Sequence, residues 1–175
     1  MGLFYITGVS GSGKSAVERE LRKLGYEAHD VDDPDIGGAY NNLTNQIEAV
    51  PPASERTSEW FLAHSWRIRR DRVEVFKTQS VGRPIFICGT AGNEHEVLDL
   101  FDEVVHLDID EATLRFRISS RENNDFGKTA SELRMILERH AAARRSYRQA
   151  QARVIDATQS VSEVVGEILD TLVRT

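Results

Sequence analysis

Apolar and polar residues follow two different periods along this chain. The opening run Leu3-Phe4-Tyr5-Ile6-Thr7 is almost wholly apolar, as in a strand buried on both faces. From Ala16 the period changes: Val17, Leu21 and Leu24 fall at helical spacing, and Gly25 supplies a stop. Tyr26-Glu27-Ala28-His29 predicts a second short strand, running into the acidic turn Asp30-Val31-Asp32-Asp33-Pro34-Asp35. Residues 36–55 are turn-rich and predict one short helix near 43–49, and a long helix is expected over about 56–80. Arg83-Pro84 introduces Ile85-Phe86-Ile87-Cys88, a continuous apolar run that reads as a third, central strand. A loop at 89–93 and a short helix at 94–101 lead to a fourth strand, Val104-Val105-His106-Leu107. Asp110 caps a helix to about Arg121, and Ser131 caps a long one to about Ala152. Val154-Ile155 is the fifth strand, and Ser160 or Ser162 opens a final amphipathic helix.

Strands alternating with helices predict the α/β class, a three-layer α/β/α domain around a five-stranded parallel sheet. The 175 residues suit one domain spanning 1–175, large enough to bury roughly 70% of its unfolded surface. Ligands in such sheets sit beyond the carboxyl ends of the strands. That rule gathers five loops at one rim: 8–15, 30–35, 89–93, 108–110 and 156–159.

The first of these loops carries the most specific chemistry. Gly8-Val9-Ser10-Gly11-Ser12-Gly13-Lys14-Ser15, followed by Ala16, fits G-x-x-x-x-G-K-[ST], the Walker A phosphate-binding loop, and has the strand before it and helix after it that the motif requires. Its glycines let backbone N–H groups approach phosphate oxygens. The helix start aims its unpaired N–H groups and positive dipole end at the same place. Lys14 adds a full charge near the β- and γ-phosphates, and Ser15 offers a hydroxyl to Mg²⁺.

Composition narrows the partners. The net charge of −6 opposes bulk attraction to nucleic acid or an anionic membrane, so neither is expected as a partner. No apolar stretch approaches the roughly 20 residues of a membrane span. The single cysteine, Cys88, lies in an apolar strand and reads as a core residue. No disulfide framework within the chain is possible, which suits a reducing cytoplasm, the expected location.

Other rim residues complete a candidate site. Asp30 and Asp32 end the second strand, where a carboxylate can hold Mg²⁺ or accept the proton of an attacking hydroxyl. The central strand ends in Gly89, where a Walker B strand would end in Asp. Arg117 and Arg121 are four apart on one helix before the polar segment 122–129, as a lid over phosphates needs; the lid is expected at about 117–130. The loop at Asp156-Ala157-Thr158-Gln159 offers backbone groups to a base edge. Arg67, Arg69, Arg70 and Arg72 interleave with Trp60, Phe61, Trp66 and Ile68, mostly as a charged outer helix face, and Arg67 is the candidate acceptor contact. Arg139, Arg144, Arg145 and Arg148 form a similar face. The five histidines lack metal-ligand spacing.

Taken in order, these residues resemble the P-loop small-molecule kinases, nearest the shikimate kinase, gluconate kinase and nucleoside monophosphate kinase groups. The resemblance spans nearly the whole chain. It implies the P-loop NTP hydrolase fold with strand order 2-3-1-4-5, a mobile lid, a substrate-binding helical region over about 34–80, ATP as phosphoryl donor and Mg²⁺ as its metal. It implies that Asp30 supports Mg²⁺ with Ser15, that Asp32 binds the acceptor hydroxyl, that Lys14, Arg117 and Arg121 stabilise the transferring group, and that Ala157 and Thr158 hold adenine. Gly89 and Thr90 stand where shikimate kinases have a Gly-Gly-Gly loop, and Arg144 lies within a residue of their carboxylate-binding arginine. The expected activity is ATP- and Mg²⁺-dependent phosphorylation of a small-molecule acceptor by a monomer or homodimer. The stretch Leu24-Gly25-Tyr26 to Asp32 is similar to dephospho-CoA kinase, so a nucleoside, nucleotide or dephospho-CoA-type acceptor is an alternative. A nucleotide-dependent switch binding a protein partner is another.

Overall fold

In the computed structural model, which describes residues 2–52, 55–122, 125–149 and 152–172, the elements run β1 (Leu3–Thr7), α1 (Lys14–Lys23), β2 (Glu27–Asp30), β3 (Gly37–Asn41), β4 (Ile47–Glu48), α2 (Ser58–Ala63), β5 (His64–Ile68), α3 (Arg70–Gln79), β6 (Ile85–Cys88), β7 (Glu103–Asp108), α4 (Glu111–Ser120), α5 (Ala130–Gln149), β8 (Arg153–Asp156) and α6 (Val161–Leu172). The central sheet is parallel, in the order β2-β6-β1-β7-β8. Counted among its own five strands, that is 2-3-1-4-5, the expected order.

The central strands are apolar throughout because both faces are covered. Side chains alternate across a strand, so β1 contributes Phe4 and Ile6 to one core and Leu3 and Tyr5 to the other. The first core is roofed by Val17 and Leu21 of α1 and by Val164, Val165, Ile168, Leu169 and Leu172 of α6. The second is closed by Val73 and Phe76 of α3, with Ile36, Ile68, Val97 and Phe101. A third cluster seats α4 and α5 beside the first rim loop, joining Val9 and Ile109 to Leu114, Ile118 and Ile136. Asp110 caps α4, its side chain accepting from Thr113 N at 2.9 Å.

Residues 36–80 depart from expectation. The helix expected near 43–49 is a hairpin of β3 and β4, and the helix expected over 56–80 is α2, β5 and α3 in succession. The region at 34–80, expected as helical, therefore combines α2 and α3 with a second, antiparallel sheet, ordered β4-β3-β5. The reason is local. From His64 to Ile68 the period is two: Trp66 and Ile68 turn toward the second core while Ser65 and Arg67 turn away. Gly37 and Gly38 admit the close neighbours, since a Cβ on Gly37 would lie 2.3 Å from Val31 O. The short helix expected at 94–101 is two 3-10 turns, Glu94–Glu96 and Leu98–Leu100.

Candidate active site

The loop between β1 and α1 wraps a concave turn. Gly13 takes the position before α1 with φ 111° and ψ 6°, a left-handed conformation that side-chain-bearing residues rarely adopt. Its carbonyl accepts the first helical bonds, from Ala16 N at 2.9 Å and Val17 N at 3.0 Å. No side chain caps this end of α1, so its first N–H groups remain directed at the loop. Ser12 is buried, and its hydroxyl has no hydrogen-bond partner among the described residues.

Lys14 folds over this turn, donating from Nζ to Gly8 O at 2.6 Å and Val9 O at 2.9 Å. Burial lowers its ammonium from 10.5 to about 8, against the opposing pull of Asp32, Asp30 and Glu94. Thr90 supports the loop from below, its hydroxyl donating to Gly8 O at 2.5 Å.

Asp30 and Asp32 reach the same place because β2 lies beside β6. Val31 N continues the pairing to Cys88 O at 2.8 Å, and the acidic turn crosses directly over Gly89. A Cβ on Gly89 would lie 2.3 Å from Val31 Cβ, so this close crossing needs glycine there. Ser15 Oγ donates to Asp30 Oδ2 at 3.0 Å, and Asp32 N donates to Asp30 Oδ1 at 3.0 Å. Desolvation raises the Asp32 carboxyl above its usual value, as does the Asp30 charge, while Lys14 draws it down.

Two arginines of the α4 region meet the loop from the other side. Arg117 Nη1 donates to Ser12 O at 3.2 Å, and Arg121 Nη1 to Ser10 Oγ at 3.3 Å. Arg121 Nη2 donates to Phe126 O, and burial lowers its guanidinium from the usual value.

Remaining candidates are placed less directly. Ala157 is buried behind β8, with its N–H on Asp108 O at 2.7 Å, and Thr158 closes a small turn on Asp156 Oδ1. Arg67 projects from β5, donating from Nε to Ser65 Oγ at 3.0 Å and from Nη1 to Asn45 Oδ1 at 2.6 Å, with Tyr40 beneath it at 5.8 Å. Arg144 lies in α5, and its side chain is outside the described residues.

Sequence reasoning missed the residues that join the antiparallel sheet to the rim. Asn93 is buried and imitates a strand neighbour: Ile68 N donates to its Oδ1 at 2.9 Å and its Nδ2 donates to Ile68 O at 3.0 Å. Glu94 Oε1 accepts from Tyr5 OH and Thr7 Oγ1, both at 2.9 Å, and from Ala91 N at 3.2 Å, fixing the 89–93 loop to β1. The sole signal was their position after the third strand's apolar run, on a loop the rim rule had already singled out.

The residues present fit a nucleotide and a divalent cation. The cradle is a left-handed glycine turn with a buried, unpartnered hydroxyl, a lysine and two arginines around it. Ser15 and Asp30 supply two oxygen donors of the kind Mg²⁺ takes. Among the described residues no three His, Cys, Asp or Glu side chains gather as a metal site, so a cation here would need oxygens from the nucleotide itself. Among them, no helix is long and apolar enough to cross a membrane.

Fold and loop together define the class: the chain has the fold of the P-loop small-molecule kinases. It is similar to a shikimate kinase from Acinetobacter baumannii in complex with shikimate, with a TM-score of 0.63 at 19% identity over 99% of this chain and 94% of that one. A gluconokinase from Sinorhizobium meliloti 1021 gives 0.55 at 21% identity, over 99% and 92%. A deoxyadenosine kinase from M. mycoides with bound dCTP gives 0.54 at 19%, over 99% and 100%. No family model and no curated protein matches the sequence.

Proposed function

We propose that this chain is a kinase that transfers the γ-phosphoryl group of ATP to a hydroxyl of a small-molecule acceptor. The observation that carries the reading is the convergence of Lys14, Asp30, Asp32, Arg117 and Arg121 on one glycine-rich turn. Bound Mg²⁺, held by Ser15 and Asp30, would supply charge neutralisation between the β- and γ-phosphates. Gly8 to Ala16 wrap the polyphosphate with backbone N–H groups. Lys14 leaves the carbonyls of Gly8 and Val9 for phosphate oxygens, where its charge is better opposed. Arg117 and Arg121 face the equatorial oxygens of the transferring group, where negative charge spreads in the transition state. Ala157 and Thr158 offer main-chain groups to the base.

Asp32 orients the acceptor hydroxyl and takes its proton as the acceptor oxygen bonds to phosphorus and the bond to the bridging oxygen breaks. Its raised carboxyl pKa moves it toward the range in which a carboxylate is an effective base. Arg67 contacts the acceptor from the antiparallel sheet, and Gly89 and Thr90 hold the crossing beneath it. The shared fold of sugar-acid and nucleoside kinases supports both acceptor classes.

A coupled assay of ADP release, run with MgATP against pools of sugars, sugar acids, cyclic hydroxy acids and nucleosides, tests this reading. One pool is expected to stimulate release, and Lys14→Ala to abolish it. Unchanged phosphorylation of the best acceptor by Lys14→Ala overturns the assignment.

A further inference from the structure

The two halves of the crevice are joined by an aromatic contact that the reaction itself does not require. Phe61 of α2 meets Phe126, with ring centroids 5.8 Å apart and planes at 47°. Phe126 is not an ordinary turn residue, because its carbonyl accepts from Arg121 Nη2 while Arg121 Nη1 reaches Ser10 Oγ at 3.3 Å. Among the described residues, the buried Nε of Arg121 has no hydrogen-bond partner, and Asp125 and Glu132 act on its guanidinium through their charge without a salt bridge. Two neutral oxygens therefore accept its hydrogen bonds, one in the nucleotide loop and one on Phe126.

The turn bearing Phe126 is itself anchored. Gly127 N donates to Glu132 Oε2 at 3.1 Å, and Thr129 Oγ1 to the same oxygen at 2.9 Å. A Cβ on Gly127 would lie 2.7 Å from Ile136 Cδ1, so the turn lies tightly against α5. On the other side, α2 runs without a break into β5, the strand that carries Arg67. Movement of Arg121 toward an arriving polyphosphate thus acts on the Phe126 carbonyl, then on its ring, then on Phe61 and the strand behind it.

We infer that Phe126 and Phe61 are positioning residues for Arg121 and couple the nucleotide loop to the antiparallel sheet. This rests on reading residues 8–15 as a nucleotide site. The coupling runs from Ser10 to Arg121 to Phe126 to Phe61, with the Phe126 ring also packed against the cluster of Val9, Leu114, Ile118 and Ile136.

Trp60 provides a built-in reporter. Its ring lies 5.3 Å from Phe61 at 81° and stacks on His64 at 4.6 Å and 15°. Titration with the non-hydrolysable MgAMP-PNP is read by calorimetry on the full chain and by tryptophan emission in a Trp66→Phe background, which leaves Trp60 as the emitter. The wild type is expected to bind, and the Trp66→Phe background to bind alike and to change its emission along the same isotherm. Phe126→Ala and Phe61→Ala are each expected to weaken binding about threefold or more and to remove the change. The double variant should lose no more than either single one, because both cut one path. Phe126→Tyr, which keeps the ring, should restore the wild-type response, and thermal melts identify any variant that has unfolded. Additive losses, an emission change that survives Phe126→Ala in that background, or binding with silent Trp60 would each overturn the coupling while leaving the nucleotide site intact. Absence of calorimetric binding by the wild type would overturn the nucleotide reading and the coupling with it.

Discussion

Ser15 Oγ donates to Asp30 Oδ2 at 3.0 Å across the gap between the start of α1 and the end of β2. The two residues are distant in the sequence, and neither alone is a cation site. Together they present a hydroxyl and a carboxylate to one point beside the Lys14 loop. Asp30→Asn removes the charge and keeps the shape. It is expected to weaken MgATP binding about tenfold, the lower end for disturbing a metal-site partner, and to weaken metal-free ATP binding much less. Calorimetry with and without Mg²⁺ measures the difference. Equal losses in both conditions would show that Asp30 serves the fold and not a cation.

Lys14 predicts how that binding depends on pH. Its ammonium is lowered to about 8 chiefly by burial. A polyphosphate favours the protonated form, so the complex holds its proton above pH 8 while the free protein releases it. Affinity for MgATP should be flat below pH 8 and fall by up to about tenfold per unit above it, with proton uptake on binding. Lys14→Met should bind weakly with no such bend. Calorimetry in buffers of different ionisation enthalpy reads both the affinity and the protons.

Gly89 is expected to tolerate no side chain. An added Cβ would stand 2.3 Å from Val31 Cβ, in a crossing also held by Val31 N on Cys88 O. Gly89→Ala should cost about 1–3 kcal/mol, the usual range for an overfilled core position. Urea unfolding should show a lower midpoint at unchanged slope. Adding Val31→Ala should leave most of the loss in place, because alanine removes Cγ2, 2.4 Å from the added atom, but keeps the Cβ that stands at 2.3 Å.

The pair of His64 and Glu48 predicts a pH window for the antiparallel sheet. His64 Nε2 lies 2.8 Å from Glu48 Oε2, and its Nδ1 lies 2.8 Å from Trp60 O. The Glu48 hydrogen bond, followed by the Trp60 carbonyl, raises the His64 pKa above 6.5. The contribution of His64 is complete below 6.5 and is lost as pH rises through the raised value. Glu48 is lowered below 4.5 by His64 and Asn41, so its contribution is complete above 4.5 and is lost as pH falls through the lowered value. The pair should therefore hold best between about pH 4.5 and 6.5. Hydrogen exchange of the Asn41 and Asn45 amides, compared with His64→Gln at each pH, should show the protection difference shrinking above that window.

The parallel sheet was legible because local pattern and global burial agree. Residues 3–7 and 85–88 are apolar on both faces, and both are sandwiched between helices. The phosphate-binding turn was legible for a different reason: its backbone conformation demands glycine, and glycine leaves a mark in the sequence. The expected helix over 56–80 is helical in α2 and α3 and broken only by β5, because the apolar residues at 60, 61, 66, 68, 73 and 76 accommodate more than one period. Asn93, bonded to both backbone groups of Ile68, holds β5 at the rim, and no short-range signal reveals a partner 25 residues away.

From its own residues the chain determined where a polyphosphate would be wrapped, because eight consecutive positions set that backbone turn. It also determined which strands are central, because a strand covered on both sides has no room for polar side chains. Only the tertiary structure decided what faces the wrapped group. Asp30 and Asp32, Thr90, and Arg117 and Arg121 come from three separate segments, and their meeting depends on strand order and on how closely two backbones cross at Gly89. Those are properties of packing between distant segments, which no window of the sequence contains.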